Sequence, residues 1–421
     1  MASSIDTQQP AWLAERRARA ASLMERLELP TYKGRPGWEF TDISALDFAA
    51  AAPAPAGDAA AAARPEPLFT GLEQAIRLTQ VDATTVAVEG DLPDNVIVTS
   101  LERAAAEHPE LVRRHFGTTV AADDPFVARN EAGFAGGLFV HVGAGARLDR
   151  PLLVTVVQDA ERTVLNWRTL IVLDEGGEAE VWEQYLSAEE GRDGLFNTVV
   201  ELIVGANARL RYVNGQGLSE RSWVFGSQRA AVGRDGTLDW VSLGFGSARG
   251  KVRTETRLVG EGASARVTGA YASHGRQHID YDTTQEHAAA HTTSDLAFRG
   301  VLQGRSQAVW RGNIIVDPGA QRTDAFQESR NLLLSKQAHA DAIPGLEIQA
   351  NDVRCTHAAA VAQIDPSQVF YLRSRGLREE VARRLVIEGF LAELVERFED
   401  GPVREILGGA LERRMSVILR G

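Results

Sequence analysis

The chain has 421 residues, a formal net charge of −12 and a pI near 5.4, an acidic balance that argues against a general nucleic-acid binder, which needs a basic face to displace counterions from phosphates. Its single cysteine, Cys355, excludes an internal disulfide and any self-contained cysteine-rich zinc or iron–sulfur motif. With 44% hydrophobic and 24% charged residues it has the make-up of a soluble globular protein large enough for about two or three structural units.

The first ten residues carry no apolar run and no early positive charge, so no signal peptide is read there. No later segment approaches the roughly 20 uninterrupted apolar residues that cross a bilayer, and a cytoplasmic protein without membrane contact is expected. Pro10 to Leu29 is rich in Ala, Leu, Glu and Arg, with Trp12, Leu13, Leu23 and Leu27 available for one face. That spacing predicts an amphipathic helix, stopped by Pro30. A turn-like Gly34-Arg-Pro-Gly37 leads into Trp38-Glu-Phe-Thr-Asp-Ile43. Residues 49–63 are almost all Ala and Pro and predict a flexible or semi-extended linker. Glu102 to Phe116 reads as helix.

From about Gly136 to about Ile348 short runs of Val, Leu, Thr and aromatics alternate with Gly-containing turns, as many short strands would. The turns resemble one another: Val142-Gly-Ala-Gly-Ala-Arg-Leu148, Val204-Gly-Ala-Asn-Ala-Arg-Leu210, Val232-Gly-Arg-Asp-Gly-Thr-Leu238 and Val259-Gly-Glu-Gly-Ala-Ser-Ala265. The last three begin at 204, 232 and 259, which is 28 and 27 positions apart. A repeat of that length without a helix in each unit predicts a β-solenoid, with a β-sandwich as the alternative. Past Pro366 the sequence turns helical, with Leu377, Val381, Leu385, Ile387, Leu391, Leu394 and Phe398 at three- and four-residue steps. Gly401-Pro402 breaks the run before a second stretch carrying Val403, Ile406, Leu407, Leu411 and Val417. Periodicity does not say whether this pair caps the solenoid or docks another protein. The resulting division is a helical region at 1–116 with its Ala/Pro linker at about 49–67, a β core at 117–365 and a helical domain at 366–421.

Several enzyme signatures fail. Gly244 to Lys251 has the wrong glycine spacing for a P-loop, and Val252 stands where Ser or Thr should meet magnesium. No Gly-x-Ser-x-Gly elbow occurs. His274, His278, His287 and His291 share one segment, and imidazole binds zinc, iron and copper. No cysteine or well-spaced carboxylate completes a ligand set, so solvated positions hydrogen-bonded to Asp280, Asp282 and Glu286 are the favoured reading. Those carboxylates also define the competing hypothesis, a β-helix enzyme acting on polysaccharide. Cys355 and His357 form the sharper pair. If the strand suggested by Leu346 to Val353 continues, residues two apart share a face, and Arg354 and His357 would both favour the thiolate. Two ligands do not hold a cluster that takes four, so any such site recruits ligands from a partner.

The stretch Asn331-Leu-Leu-Leu-Ser-Lys336, Pro344-Gly-Leu-Glu-Ile348, Asp352-Val-Arg-Cys-Thr-His357 and Phe370-Tyr-Leu-Arg-Ser-Arg-Gly376 resembles the hallmark region of the SufB/SufD family of iron–sulfur cluster assembly proteins. His278-Ile-Asp280, His287, Thr293-Ser294 and Thr323-Asp-Ala325 fit the same family, as do Leu29-Pro-Thr31 and Gly37-Trp-Glu-Phe-Thr41. Cys355-Thr-His-Ala358 is similar to the SufD branch, where SufB chains read Ser-His-Glu-Ala; Ala358 departs from the Gly usual in that branch. The resemblance implies a right-handed parallel β-helix core with helical ends, and a scaffold subunit rather than an enzyme. It implies pairing with SufB through the core and docking of the SufC ATPase through the C-terminal helices, on Leu377, Val381, Leu385, Phe390 and Leu394. It implies a transient iron–sulfur cluster shared with SufB, with His357 and Cys355 at that site. No permanently bound cofactor is implied, ATP is used by SufC, and flavin involvement stays open. An isolated chain has the same surface free for a homodimer.

Overall fold

The architecture follows from the turns. A computed structural model describes residues 9–34, 37–48, 51–58, 60–61 and 65–419. The four similar turn segments place Gly145, Asn207, Asp235 and Gly262 at one position, each with φ between 54° and 74°. Gly176, His291 and Arg322 occupy the same left-handed region in the intervening and following turns. Gly pays no Cβ penalty there, and Asn and Asp tolerate it better than most residues. The left-handed residue aims its N–H at the next turn in the stack. Gly176 donates to Ala206 O, Asn207 to Arg234 O, Asp235 to Glu261 O, Gly262 to Ala290 O and His291 to Gln321 O.

The strands between these turns are β5 (Leu138–Val142), β6 (Leu152–Gln158), β7 (Thr163–Leu173), β8 (Glu178–Ser187), β9 (Gly194–Val204), β10 (Arg209–Gly217), β11 (Trp223–Val232), β12 (Thr237–Gly244), β13 (Arg249–Leu258), β14 (Ser264–Ser273), β15 (His278–His287), β16 (Thr293–Leu302), β17 (Gln307–Val316), β18 (Asp324–Leu333), β19 (His339–Ile348) and β20 (Arg354–Gln363). They are preceded by α1 (Ala11–Arg26), β1 (Ala52–Pro53), β2 (Ile76–Val81), β3 (Thr84–Glu89), β4 (Val96–Thr99), α2 (Leu101–Glu107), α3 (Pro109–His115) and α4 (Pro125–Gly133). They are followed by α5 (Pro366–Ser374), α6 (Glu379–Val395) and α7 (Pro402–Ile418).

Successive strands from β5 to β20 alternate between two sheets, so each pair makes one coil of a parallel β-solenoid, eight coils in all among the described residues. Trp223 pairs with Arg249 and Arg249 with His278, each one coil further on. Such parallel pairing at a one-coil offset rules out the sandwich, whose sheets are antiparallel. Stacking each inward face on the next buries Trp167, Trp240, Trp310, Phe196 and Phe298 in one continuous core. Glu183 lies within it, its carboxylate accepting from Thr169 Oγ1 at 2.7 Å, Tyr185 Oη at 2.9 Å and Trp167 Nε1 at 3.2 Å, and from Tyr212.

Both outer faces are partly covered. α2 and α4 pack on the sheet of β7 and β9, and α1 packs on α4. A buried ion pair joins Arg168 to Glu201 at 2.7 Å beneath them, and a partly buried one joins Arg16 of α1 to Glu131 of α4 at 2.9 Å. α6 and α7 bury Ile387, Leu391, Leu394, Ile406, Leu407 and Leu411 on the other sheet. The helix read over 102–116 is interrupted at His108-Pro109, where proline cannot continue the hydrogen-bond ladder. Strand structure starts earlier than expected, with β2–β4, and runs beyond Ile348 through β20. The Ala/Pro stretch is not a free linker where it is described: Ala52 and Pro53 pair with Thr163 and Val164, and Ala61 is buried. Its backbone anchors it, although its side chains offer little. Residues 35–36, 49–50, 59 and 62–64 of the expected turn and linker lie outside the described residues.

Candidate functional site

The two sheets end at β19 and β20, beyond which no further strand pairs among the described residues. Each therefore presents one backbone edge without a ladder partner, a template for another chain. In the register of β18 with β20, Cys355 stands beside Ala325 and His357 beside Gln327. Ala325 and Gln327 are buried inside the solenoid, so the alternation of the strand turns Cys355 and His357 toward the same inner side, at its open end. The expectation that thiol and imidazole share a face is met.

Their environments differ. Cys355 is half-buried against Ile314, Val316, Ala320 and Leu346. Burial and the nearby Asp324 carboxylate both push its thiol up, so it is held protonated at neutral pH. This corrects the expectation that Arg354 would favour the thiolate. The Arg354 guanidinium is spent on Asp324, with Nε 3.0 Å from Oδ1, and that pair holds the Asp324 carboxyl below its usual range. His357 is exposed and makes no hydrogen bond or ion pair with the described residues. No three His, Cys, Asp or Glu side chains among the described residues converge well enough to hold a metal ion.

The four-histidine segment separates into four settings. His274 meets Glu220 at 2.5 Å, and His291 occupies a stacked turn 3.7 Å from Glu261. His287 is fully buried between Thr292 Oγ1 at 2.7 Å and Ser294 Oγ at 2.8 Å, and burial lowers its pKa to about 4. His278 lies 3.0 Å from Thr41 Oγ1, which donates to Asp280 Oδ2 at 2.6 Å. Lys251 Nζ, the lysine of the failed P-loop, sits 2.9 Å from the same Asp280 oxygen, and Trp38 stacks on Phe126. Two motifs read separately in the sequence, Gly37 to Thr41 and His278 to Asp280, are thus the two halves of one buried contact. With Asp280 in that pair, Asp282 3.9 Å from Lys251 Nζ and Glu286 bonded to Arg257 at 2.7 Å on the surface, each carboxylate of the polysaccharide hypothesis already has a cationic partner.

The C-terminal helices divide the expected docking residues. Leu394 is 3% exposed and belongs to the core under α6, so it is unavailable to a partner; heptad-like spacing alone did not reveal which apolar stripe the solenoid takes. Leu377, Val381 and Phe390 are half-buried, and Leu385 is 43% exposed. Leu385 and Phe390 line an open groove of about 730 Å³ between α5 and α6, with Leu332, Gln368, Tyr371 and Val386. Phe370 and Tyr371, 71% and 57% exposed, border this region and were missed as surface anchors; their place in the hallmark stretch was the available signal.

Comparison with known proteins places these features in a family. Residues 156–390 match the family model "SUF system FeS cluster assembly, SufBD core domain", and residues 1–154 match "SufBD protein N-terminal region". The iron-sulfur cluster assembly protein SufD of Bacillus subtilis is 30% identical, over 97% of this chain and 95% of that protein. A SufBD family protein of Mycobacterium leprae is 30% identical over 70% of this chain and 76% of its own length. One of Synechocystis is 28% identical, over 91% and 87%.

Proposed function

The chain belongs to the SufB/SufD family of iron–sulfur cluster assembly proteins, and from that premise we propose that it serves as the SufD-type scaffold subunit of the SUF machinery. In this reading it catalyses no reaction of its own. It pairs with SufB along the open edges of β19 and β20, presents His357 to a nascent cluster, and docks the SufC ATPase at the groove between α5 and α6. The observation that carries the reading is the exposed imidazole of His357, without a partner among the described residues, on the last coil of the solenoid. A neutral imidazole is a competent ligand for iron, and an unpaired strand edge recruits a second strand by backbone hydrogen bonds. The cluster is cargo. One imidazole and one protonated thiol fall short of four ligands, so SufB supplies the rest. Without SufB, the same edge is free to pair with a second copy of this chain. Among the described residues no helix is long and apolar enough to cross a membrane.

Co-expression with SufB and SufC tests the pairing: a stable three-component complex is expected, and repeated recovery of this chain alone would refute it. His357→Ala should leave the complex intact and reduce the iron and sulfide it carries. An undiminished cluster yield from that variant would remove His357 from the site.

A further inference from the structure

Well away from the last coil, the solenoid interior contains polar groups that the core packing does not use. Between the coils of β9–β10 and β11–β12 lies a cavity with about 20 Å³ of room for water centres, enough for one molecule. Among its lining residues are Tyr185, Thr198, Asn214, Gln228, Ser242 and Tyr281, all buried. Two glycines next to the lining residues leave them room. Gly226 is the register partner of Thr198, and a Cβ there would come within 3.0 Å of Val252 Cγ1. A Cβ on Gly244 would stand 2.6 Å from the Tyr281 hydroxyl.

The polar atoms facing this space are not all paired. Asn214 Nδ2 donates to Gln228 Oε1 at 3.0 Å across the interior, which turns Asn214 Oδ1 away from that contact. Asn214 Oδ1 is buried without a hydrogen-bond partner among the described residues, and Thr198 Oγ1 has no close hydrogen bond beyond a weak interaction with the Tyr185 hydroxyl. Leaving a buried acceptor unpaired costs about 1–3 kcal/mol, whereas a small polar cavity accepts a water that makes two to four bonds. Even an apolar cavity of about 150 Å³ stays dry, so the chemistry of the lining decides the occupant.

We propose that this cavity is a binding site for one ordered water molecule, which donates to Asn214 Oδ1, bonds the Thr198 hydroxyl and bridges the two sheets of the solenoid. The site does not depend on the SufD reading and stands or falls separately from it. A high-resolution crystal structure of the full chain tests it, alongside the near-isosteric variant Thr198→Val. A solvent peak within hydrogen-bonding distance of both Asn214 Oδ1 and Thr198 Oγ1, weakened or displaced in the variant, is the expected result. A wild-type cavity without a solvent peak, or an Asn214 amide turned so that Oδ1 meets a protein donor, would overturn it. A peak unmoved by Thr198→Val would equally overturn the assignment, since the hydroxyl would then not hold the water. Should the variant fail to fold, the wild-type density alone still decides between a wet and a dry site.

Discussion

Leu385 and Leu394 lie nine residues apart on α6, and alanine at each should separate docking from folding. Leu394 is 3% exposed within the core that α6 shares with the solenoid. Truncating such a leucine removes its transfer free energy and leaves a cavity, a loss of about 2–5 kcal/mol in stability. Leu385 retains 43% of its exposure. Full burial of a leucine is worth about 1.5–3 kcal/mol, so covering the remaining surface on a partner contributes roughly 1 kcal/mol, or about fivefold in Kd. Its alanine variant should shift folding stability by no more than about 0.5 kcal/mol. Denaturant unfolding measures the first quantity and calorimetric titration with SufC the second. Leu394→Ala should lower stability strongly, and Leu385→Ala should weaken SufC binding without touching stability. If Leu385→Ala destabilises the chain as much as Leu394→Ala, the groove is part of the core. If Leu385→Asp also leaves SufC affinity unchanged, docking at this groove is refuted.

Other consequences can be measured directly. Lys251→Met leaves the buried Asp280 carboxylate hydrogen-bonded by Thr41 alone among the described residues, with His278 and Arg311 as its remaining charge neighbours, and should cost about 3–5 kcal/mol in chemical unfolding, much of it restored by adding Asp280→Leu. A loss below about 1 kcal/mol would show that the pair behaves like a surface salt bridge. His287 is held neutral, its pKa lowered to about 4, so the unfolded chain binds the extra proton between its ordinary value and 4. Stability should therefore fall as pH drops through that window, by up to an order of about 3 kcal/mol. His287→Gln should flatten that acid limb, and an unchanged slope would place the sensitivity elsewhere. The Cys355 thiol is pushed up, so alkylation by iodoacetamide should be slow at neutral pH and rise only in the alkaline range. Asp324→Asn should accelerate it, and neutral-pH labelling at the rate of a free exposed thiol would contradict the burial.

Much of the fold was legible because solenoid turns repeat locally. The Val-Gly segments at 142, 204, 232 and 259 carry the residue that enters the left-handed region three positions on, and that requirement is written in one short window. The helix spacing after Pro366 was legible for the same reason, although α5 was not resolved from α6. The Ala/Pro stretch misled because its attachment is made by backbone amides, which composition does not encode.

The sequence by itself determined the repeating strand and turn pattern, the helical tail, the family hallmarks and the pairing of Cys355 with His357 on one face, since each depends on residues within a turn or two of one another. Only the tertiary structure decided that Arg354 is captured by Asp324, that the thiol is half-buried with its pKa pushed up, and that Leu394 faces inward while Leu385 faces out. It alone joined Thr41 to Asp280 across 239 positions. Burial and charge partners are set by which coils stack and where they stop, and that long-range placement is what leaves the short Cys355–His357 motif at the open end of the solenoid.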